Sequence, residues 1–565
     1  MKGKYLIAGI LVLVLLIGSS IGVFGQELYS IPAAATNVKY GGTLKYISPQ
    51  GPLALNFNPF APAALPTAGL IYEPLFYVNP LTGRITPLLG TSYKWEDNNL
   101  KLVITTRSGV TWSDGVPFTA SDVAFTFNYI KQYPALDLGG QWSPVNELES
   151  VEASGSNIVI FSFKTPDIPD FYNTIAGQEI VPEHIWSTIN APLQFRNENP
   201  VGTGPFLFKS LNPQTNTVIY TKNPNFWMKG LPYIDEFQYT SVSSNQYGLL
   251  VMLKHEADFS WIGMTDPAKT WIAPDPEDNH GFFPAVSYNY LFINTQNPPL
   301  DNPTVRKAIE LAIDKQSINE KAYFNIAGVA NAAGIIPTQL KEWFDPTLAT
   351  LAASLSTYNP NEALNLLESL GYKKNASGIL VGPDGKPFPT LIIPVVSGWN
   401  DYVTTSNIIS QDLRKIGIPS IVEQTTPGNA SLDLLSGKYD LYFSWNIAAP
   451  TPYGWYNLYL NPAFSAPKGE NVISDYSRYT NPLVTAALKV YESTTDPRLQ
   501  KQAMYVIERI MLEDVPYIPV VGAPAWNAYS TKYFVGWPSE SDPYCALTTP
   551  GYGGEELLFL QVHLK

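Results

Sequence analysis

The sequence predicts an α/β protein built of several lobes, and three observations predict it. The chain has 565 residues, 45% hydrophobic and only 15% charged, a globular composition with room for three to four domains of roughly 150 residues each. Short strand-like runs alternate with helices whose ends are marked by capping residues, the arrangement of α/β folds. Glycine- and proline-rich crossings separate those segments, and no repeat of solenoid period runs through them.

At the N-terminus, Lys2 and Lys4 precede an apolar run from Tyr5 to Ile17, followed by Gly18-Ser19-Ser20 and by small residues at Val23 and Gly25. This reads as a secretory signal over residues 1–25, with the mature chain beginning at Gln26 or Glu27. Counted on to Phe24, the apolar stretch reaches about 20 residues, the length of a membrane span, so an uncleaved anchor is the alternative. No cysteine stands at the cleavage site to carry a lipid. Removing Lys2 and Lys4 takes the basic residues from 35 to 33 against 48 acids, a formal charge of −15. A chain this acidic lacks the basic face that nucleic acid needs. The single Cys545 excludes an internal disulfide and any multi-cysteine metal site.

Asn37 to Ser48 alternates around Gly41-Gly42 as a strand does, and a turn-rich passage from Gln50 to Gly69 holds Asn56-Phe57-Asn58-Pro59-Phe60. Ile71-Tyr72-Glu73-Pro74-Leu75-Phe76 then leads into Gly83-Arg84-Ile85-Thr86-Pro87. From Gly109 to Phe127 the chain spells strand, turn and capped helix without interruption. Ser113-Asp114-Gly115 is turn chemistry, Thr119 and Asp122 form a capping box, and Phe118 and Val123 have the spacing of a hydrophobic staple. Val201-Gly202-Thr203-Gly204-Pro205-Phe206 is too rich in glycine and proline for a helix interior. It lacks the Lys-Ser or Lys-Thr of a phosphate loop, so it reads as a crossover between domains. Further on, a strand from Tyr288 to Ile293 precedes a helix opened by Asn302 and Pro303. A second helix is opened by Asn359 and Pro360 and closed by Gly371. A third runs from Tyr402 to Ile416, and a fourth starts at Asp496-Pro497. Strands at Leu391 to Val396 and Tyr439 to Trp445 lie between them, and an aromatic-rich segment from Ala523 closes the chain.

The run Gly109-Val110-Thr111-Trp112-Ser113-Asp114-Gly115, with Pro117-Phe118-Thr119-Ala120 and Asp122-Val123, resembles the signature of the oligopeptide/dipeptide class of extracellular solute-binding proteins, the receptors of bacterial ABC importers. Tyr72-Glu73-Pro74-Leu75, Gly202-Thr203-Gly204-Pro205-Phe206 and Asn223-Pro224-Asn225-Phe226-Trp227 follow in the order found in that family. The resemblance implies a periplasmic-binding-protein type II bilobal fold with an additional small α+β domain. One lobe would be assembled from 27–70, 203–287 and 527–565, with 71–202 as the accessory domain and 288–526 as the second lobe. It further implies a monomeric receptor, secreted, periplasmic or on the cell surface, whose partners are permease subunits with their ATPase, and which needs no cofactor.

No enzymatic constellation stands out. His184, His255, His280 and His563 show no ligand spacing, His255-Glu256 lacks the second histidine of a zinc protease, and no Gly-x-Ser-x-Gly elbow occurs. A pair of catalytic carboxylates, as in a secreted glycoside hydrolase, stays open because 48 acids offer too many pairs. The positive signal is aromatic: 13 Trp, 34 Tyr and 26 Phe, most of them packing, yet suited to stack on the C–H faces of sugar rings. Three clusters follow strands, where α/β ligand sites gather. They supply the candidate ligand-binding residues: Trp399 and Asn400, Trp445 and Asn446, and Tyr453 and Trp455, the last pair expected in a loop.

In peptide-binding members, the segment matching Tyr439 to Pro450 carries an Asp between Trp and Pro that meets the peptide's terminal amine. Here Trp445-Asn446-Ile447-Ala448-Ala449-Pro450 has no carboxylate, and a buried ammonium without a partner is costly. That departure, with the Ser397-Gly398-Trp399-Asn400-Asp401 loop and the ending from Gly551 to Lys565, resembles the oligosaccharide-binding branch known from thermophilic bacteria. The expected ligand is therefore a β-linked gluco- or manno-oligosaccharide, with an oligopeptide as the alternative.

Overall fold

The computed structural model describes residues 28–31, 34–35, 37–61, 64–142, 147–546 and 554–565; the expected signal lies outside them, as does Gly551. A mixed seven-stranded sheet is drawn from distant parts of the chain. Across it run Asn279–Phe282, Asn527–Ser530, Phe259–Trp261, Thr43–Ser48, Glu236–Ser241, Thr217–Lys222 and Phe206–Asn212. Thr43–Ser48 sits near its middle and pairs in parallel with Glu236–Ser241 and with Phe259–Trp261; the remaining pairs are antiparallel.

A four-stranded antiparallel sheet, in the order Gly90–Glu96, Lys101–Thr106, Ile158–Phe163, Leu148–Ala153, carries the helix Ala120–Gln132 on one face. Phe127 meets Phe161 edge-on at 4.9 Å between ring centroids. The capping box forms as the sequence predicts: the Thr119 N–H donates to Asp122 Oδ2 at 2.9 Å, and the Thr119 hydroxyl accepts from Ser121 N at 3.3 Å. The 202–206 crossover owes its glycines to close approach. A Cβ on Gly202 would lie 1.8 Å from the carbonyl oxygen of Ile71, and one on Gly204 2.4 Å from that of Leu70. In that narrow space Gly204 N and Phe206 N donate to Ile71 O and Leu70 O, both at 2.9 Å, while Ser113 N donates to Gly202 O at 2.9 Å. Two of the motifs that carry the family resemblance, the run from Gly109 and the Gly202 to Phe206 cluster, thus meet here beside the backbone that leads into Tyr72 to Leu75.

From the seven-stranded sheet the chain passes through Phe283 and Pro284 into the strand Ala285–Ile293, the centre of a second sheet between Leu441–Ser444 and Tyr517–Pro524. It returns beside that crossing through Ala525 and Trp526, where Ala525 N donates to Pro284 O at 3.0 Å. The parallel pair Leu391–Val396 and Ser420–Thr425 adjoins this sheet through Asp440, whose Oδ2 accepts from Ile392 N at 2.9 Å. Around the second sheet stand the predicted helices: Pro303–Ala312, Pro360–Ser369 and Pro497–Asp514, capped by Asn302, Asn359 and Asp496, and Asn400–Lys415, which begins without a side-chain cap. One expectation is corrected. Tyr453–Leu460 is a helix, not a loop, because Trp455, Tyr456 and Tyr459 are buried in an aromatic core with Tyr290, Phe292 and Tyr517 of the second sheet; tertiary packing overrides the poor helix propensity of Tyr-Gly-Trp-Tyr.

Candidate functional site

A cavity of about 1770 Å³ opens between these layers, larger than the roughly 300–1,000 Å³ of ordinary small-ligand pockets. Its wall takes Trp261 from the seven-stranded sheet, Tyr172 from the segment behind the four-stranded sheet, Asn289 from the second sheet and Trp526 from the return crossing.

Four of the six expected site residues line it: Trp399, Trp445, Asn446 and Tyr453. Trp399 ends the loop after Leu391–Val396, and its carbonyl accepts the first helical bond from Val403 N at 2.8 Å. Its indole, 43% exposed, meets Tyr402 edge-on at 5.3 Å. Tyr402 in turn reaches Asn289 Oδ1 at 3.5 Å, and Asn289 Nδ2 donates to the Tyr323 hydroxyl at 3.1 Å. Trp445 leaves the end of Leu441–Ser444 with 55% of its surface exposed. Asn446 is buried beside it; its carbonyl accepts from Ser287 Oγ at 2.9 Å, and its Nδ2 has no partner. Tyr453 stacks on Tyr491 at 4.6 Å between centroids and donates to Glu492 Oε1 at 2.8 Å.

Two expectations fail. Asn400 is the first residue of Asn400–Lys415, exposed and off the cavity wall. Trp455 is fully buried in the core. At about 100° per residue it stands on the far side of its helix from Tyr453, while Asn457 and Asn461, four and eight residues on, face the cavity in its place.

The sequence reading missed the polar side of the wall. Glu147, Asp167, Asp170, Glu179, Asp401 and Glu492 line it, and Lys489 is the only cationic side chain among the described lining residues. Burial pushes the Glu179 carboxyl up to about 8. Burial also holds Asp167 and Asp170 well above the usual carboxylate range, and Asp167 is raised further by the like charges of Asp170 and Glu492. No local pattern announces Asp167-Ile168-Pro169-Asp170, because its approach to Glu492 is made by the fold across more than half the chain. Among the described residues no group of three or more His, Cys, Asp or Glu side chains is placed to hold a metal ion, and no helix is long and apolar enough to cross a membrane.

The sequence profile of the bacterial extracellular solute-binding proteins, family 5, middle region, matches residues 84–466, well over half of the chain. The chain belongs to this family. Among curated relatives, the oligopeptide-binding protein AppA of Bacillus subtilis is 27% identical over 421 residues, 69% of this chain and 74% of that protein. The glutathione-binding protein GsiB of Salmonella typhi is 24% identical over 477 residues, 80% of this chain and 84% of that protein. The fold is that of a Thermotoga maritima protein described as a periplasmic oligopeptide-binding component of an oligopeptide ABC transporter. Its superposition has a TM-score of 0.82 at 28% identity, covering 93% of this chain and 99% of that one. A mannohexaose-bound structure of the same Thermotoga protein superimposes with a TM-score of 0.73 at 29% identity, covering 93% and 98%. These family 5 neighbours share the periplasmic-binding-protein type II fold, with helices and sheets in the mixed arrangement seen here.

Proposed function

We propose that this solute-binding protein is the extracytoplasmic receptor of an ABC importer and that it encloses an oligopeptide between two lobes. The lobes are those expected from the sequence, 27–70 with 203–287 and 527–565 on one side and 288–526 on the other, with 71–202 as the accessory domain. The adjacent crossings at 283–284 and 525–526 are the hinge. The observation that carries the reading is the cavity, which is walled from both sides of that hinge and large enough for a chain of several residues. Only the closed form brings both walls onto a ligand, so a ligand stabilises closure by its differential affinity. Permease subunits and their ATPase then recognise the closed lobes. The curated relatives bearing peptide and glutathione names support the peptide class. The carboxyl groups on the wall answer the objection raised by the segment Trp445 to Pro450, since an ammonium finds acidic partners elsewhere in the same cavity.

A second reading, a β-linked oligosaccharide, is favoured by the mannohexaose held by the Thermotoga protein and by Trp261, Trp399, Trp445 and Trp526 on the wall. Titrating the mature chain with di- to hexapeptides beside cello- and manno-oligosaccharides, followed by thermal shift and tryptophan fluorescence, separates the two. A ligand that binds only the folded state raises Tm. A shift with peptides supports the first reading, and a shift with oligosaccharides alone replaces it by the second.

A further inference from the structure

We propose that the turn at 79–83 in the accessory domain is a latch for cleft closure, received by Gln339 of the second lobe, and that it sets how much of the closed form the chain populates without ligand. This rests on the two-lobe hinge reading and on neither ligand class. The turn joins the paired strands Phe76–Val78 and Ile85–Pro87. On the side of the first lobe it is firmly fastened. Leu81 is fully buried against Ala546 and against Phe282, which ends the seven-stranded sheet just before the crossing at 283–284. Asn79 closes the turn, its Oδ1 accepting from Leu81 N at 2.9 Å, while its Nδ2 donates to Pro543 O at 2.8 Å. On the side of the second lobe the same turn is held lightly. Gln339, in the helix Pro337–Trp343, is buried, and its Nε2 donates to Ala449 O at 2.9 Å and to Pro80 O at 3.2 Å. Beside it, a Cβ on Gly83 would lie 3.3 Å from Pro450 O, at a φ of +70° that glycine takes without steric cost.

The asymmetry makes this a latch rather than a fixed joint. A leucine sealed from water and a side-chain hydrogen bond keep the turn on the first lobe. Toward the second lobe, a single hydrogen bond can be exchanged for water when the lobes part. Gln339 keeps its bond to Ala449 O in the open form, so the donor stays aimed at the place to which Pro80 O returns. Two carbonyl acceptors fix which way the amide faces, since a reversed amide would set oxygen against oxygen. A second contact between the same two bodies has the same character. Asp97, Asn98 and Asn99 turn through left-handed backbone, with φ of +53°, +56° and +67°, between Gly90–Glu96 and Lys101–Thr106. From this turn Asn99 Nδ2 donates to Ser493 O, at the end of Pro482–Ser493, at 3.0 Å. The latch also reaches the ligand wall. Ala449 and Pro450 end the segment that begins with Trp445 and Asn446, and all four line the cavity. The accessory domain thereby acquires a task in closure: it holds the far end of a segment whose near end faces the ligand.

Double electron–electron resonance on the ligand-free mature chain tests this, with nitroxides on cysteines introduced at the exposed Glu152 and Gln411, one in the accessory domain and one in the second lobe. The native Cys545 is fully buried, out of reach of the label. Gln339→Met keeps the length of the side chain and removes both donated bonds. Asn99→Gly keeps the left-handed backbone and removes only the contact with Ser493. Each is expected to lower the closed-to-open ratio about fivefold, the equilibrium worth of one net hydrogen bond. Together they should lower it about 25-fold, as separate sites do. An unchanged Tm in Asn99→Gly shows that the shift is opening and not partial unfolding. A ratio that falls in Asn99→Gly alone overturns the role of Gln339 and of the 79–83 turn. A ratio unchanged in both variants overturns the latch and leaves the hinge standing. A single distance that neither variant, nor saturating hexa-alanine or mannohexaose, moves overturns the hinge reading and the latch with it.

Discussion

At position 455 an indole is fully buried among Tyr456, Tyr459 and their neighbours, while at 399 and 445 indoles of the same size face the cavity. Their replacements should therefore divide cleanly. Trp455→Ala is expected to cost about 3–5 kcal/mol of stability, the usual range for emptying a large aromatic site, visible as a large fall in Tm. Any ligand affinity that survives should be close to that of the parent. Trp399→Ala and Trp445→Ala should leave Tm nearly unchanged and weaken binding by about tenfold, as loss of an exposed aromatic platform does. A normal melt for Trp455→Ala together with lost binding would restore it to the site. Trp399 and Trp445 reach the cavity wall because each stands just past the end of a short apolar strand, Leu391–Val396 and Leu441–Ser444, that the sequence bounds. The sequence cannot place Trp455, because facing is set by the phase of a helix that Tyr-Gly-Trp-Tyr does not reveal locally. The acidic wall is illegible for a related reason: Asp170 and Glu492 are ordinary surface-type residues until the tertiary fold buries them together.

Among the elements, those with explicit caps are the ones the sequence defines best. Thr119, Asn302, Asn359 and Asp496 each accept from a backbone N–H of the first turn that they begin. Capping chemistry is local and so survives without knowledge of the rest of the chain. The Gly202 to Phe206 crossover is different: its composition marks a break, but the reason for the glycines is a backbone from residues 70–71 that sequence alone does not bring near. Gly202→Ala puts a methyl carbon 1.8 Å from Ile71 O. Because the obstacle is main chain rather than a movable side chain, the substitution should cost about 3 kcal/mol or more, the upper range for overpacking. Thermal unfolding of Gly202→Ala beside Gly428→Ala, a site with open space around it, makes the comparison internal. Equal melts for the two would mean that the 70–71 and 202–206 segments do not sit against each other as described.

For the whole molecule, the buried acids set the direction of its pH dependence. Burial raises Asp258 to about 6, Glu73 and Asp475 to about 7, and Glu179 and Glu508 to about 8. In the unfolded chain all five return to the ordinary range near 4. Between those limits the folded protein holds more protons than the unfolded one, so stability falls as pH rises. The contribution is fully present below about pH 4 and is lost progressively as pH climbs through the folded values, from about 6 to about 8. Glu73 sharpens the effect, because its neighbour Glu556 is buried as well and the two carboxyls resist ionising together. Acids with lowered values, such as the half-buried Asp266 and the exposed Asp384, are held down by neighbouring lysines and act only below the ordinary range, outside this window. The ligand-free mature chain is therefore expected to melt several degrees higher at pH 5.5 than at pH 8.5. Glu508→Gln, which mimics the protonated acid, should flatten the decline and raise the alkaline Tm. The amide keeps an oxygen to accept from Asp345 N, as Glu508 Oε2 does at 2.8 Å, and it removes the charge that burial disfavours. A Tm that stays level or rises over that interval would mean that these carboxyls reach water or a counter-charge in solution.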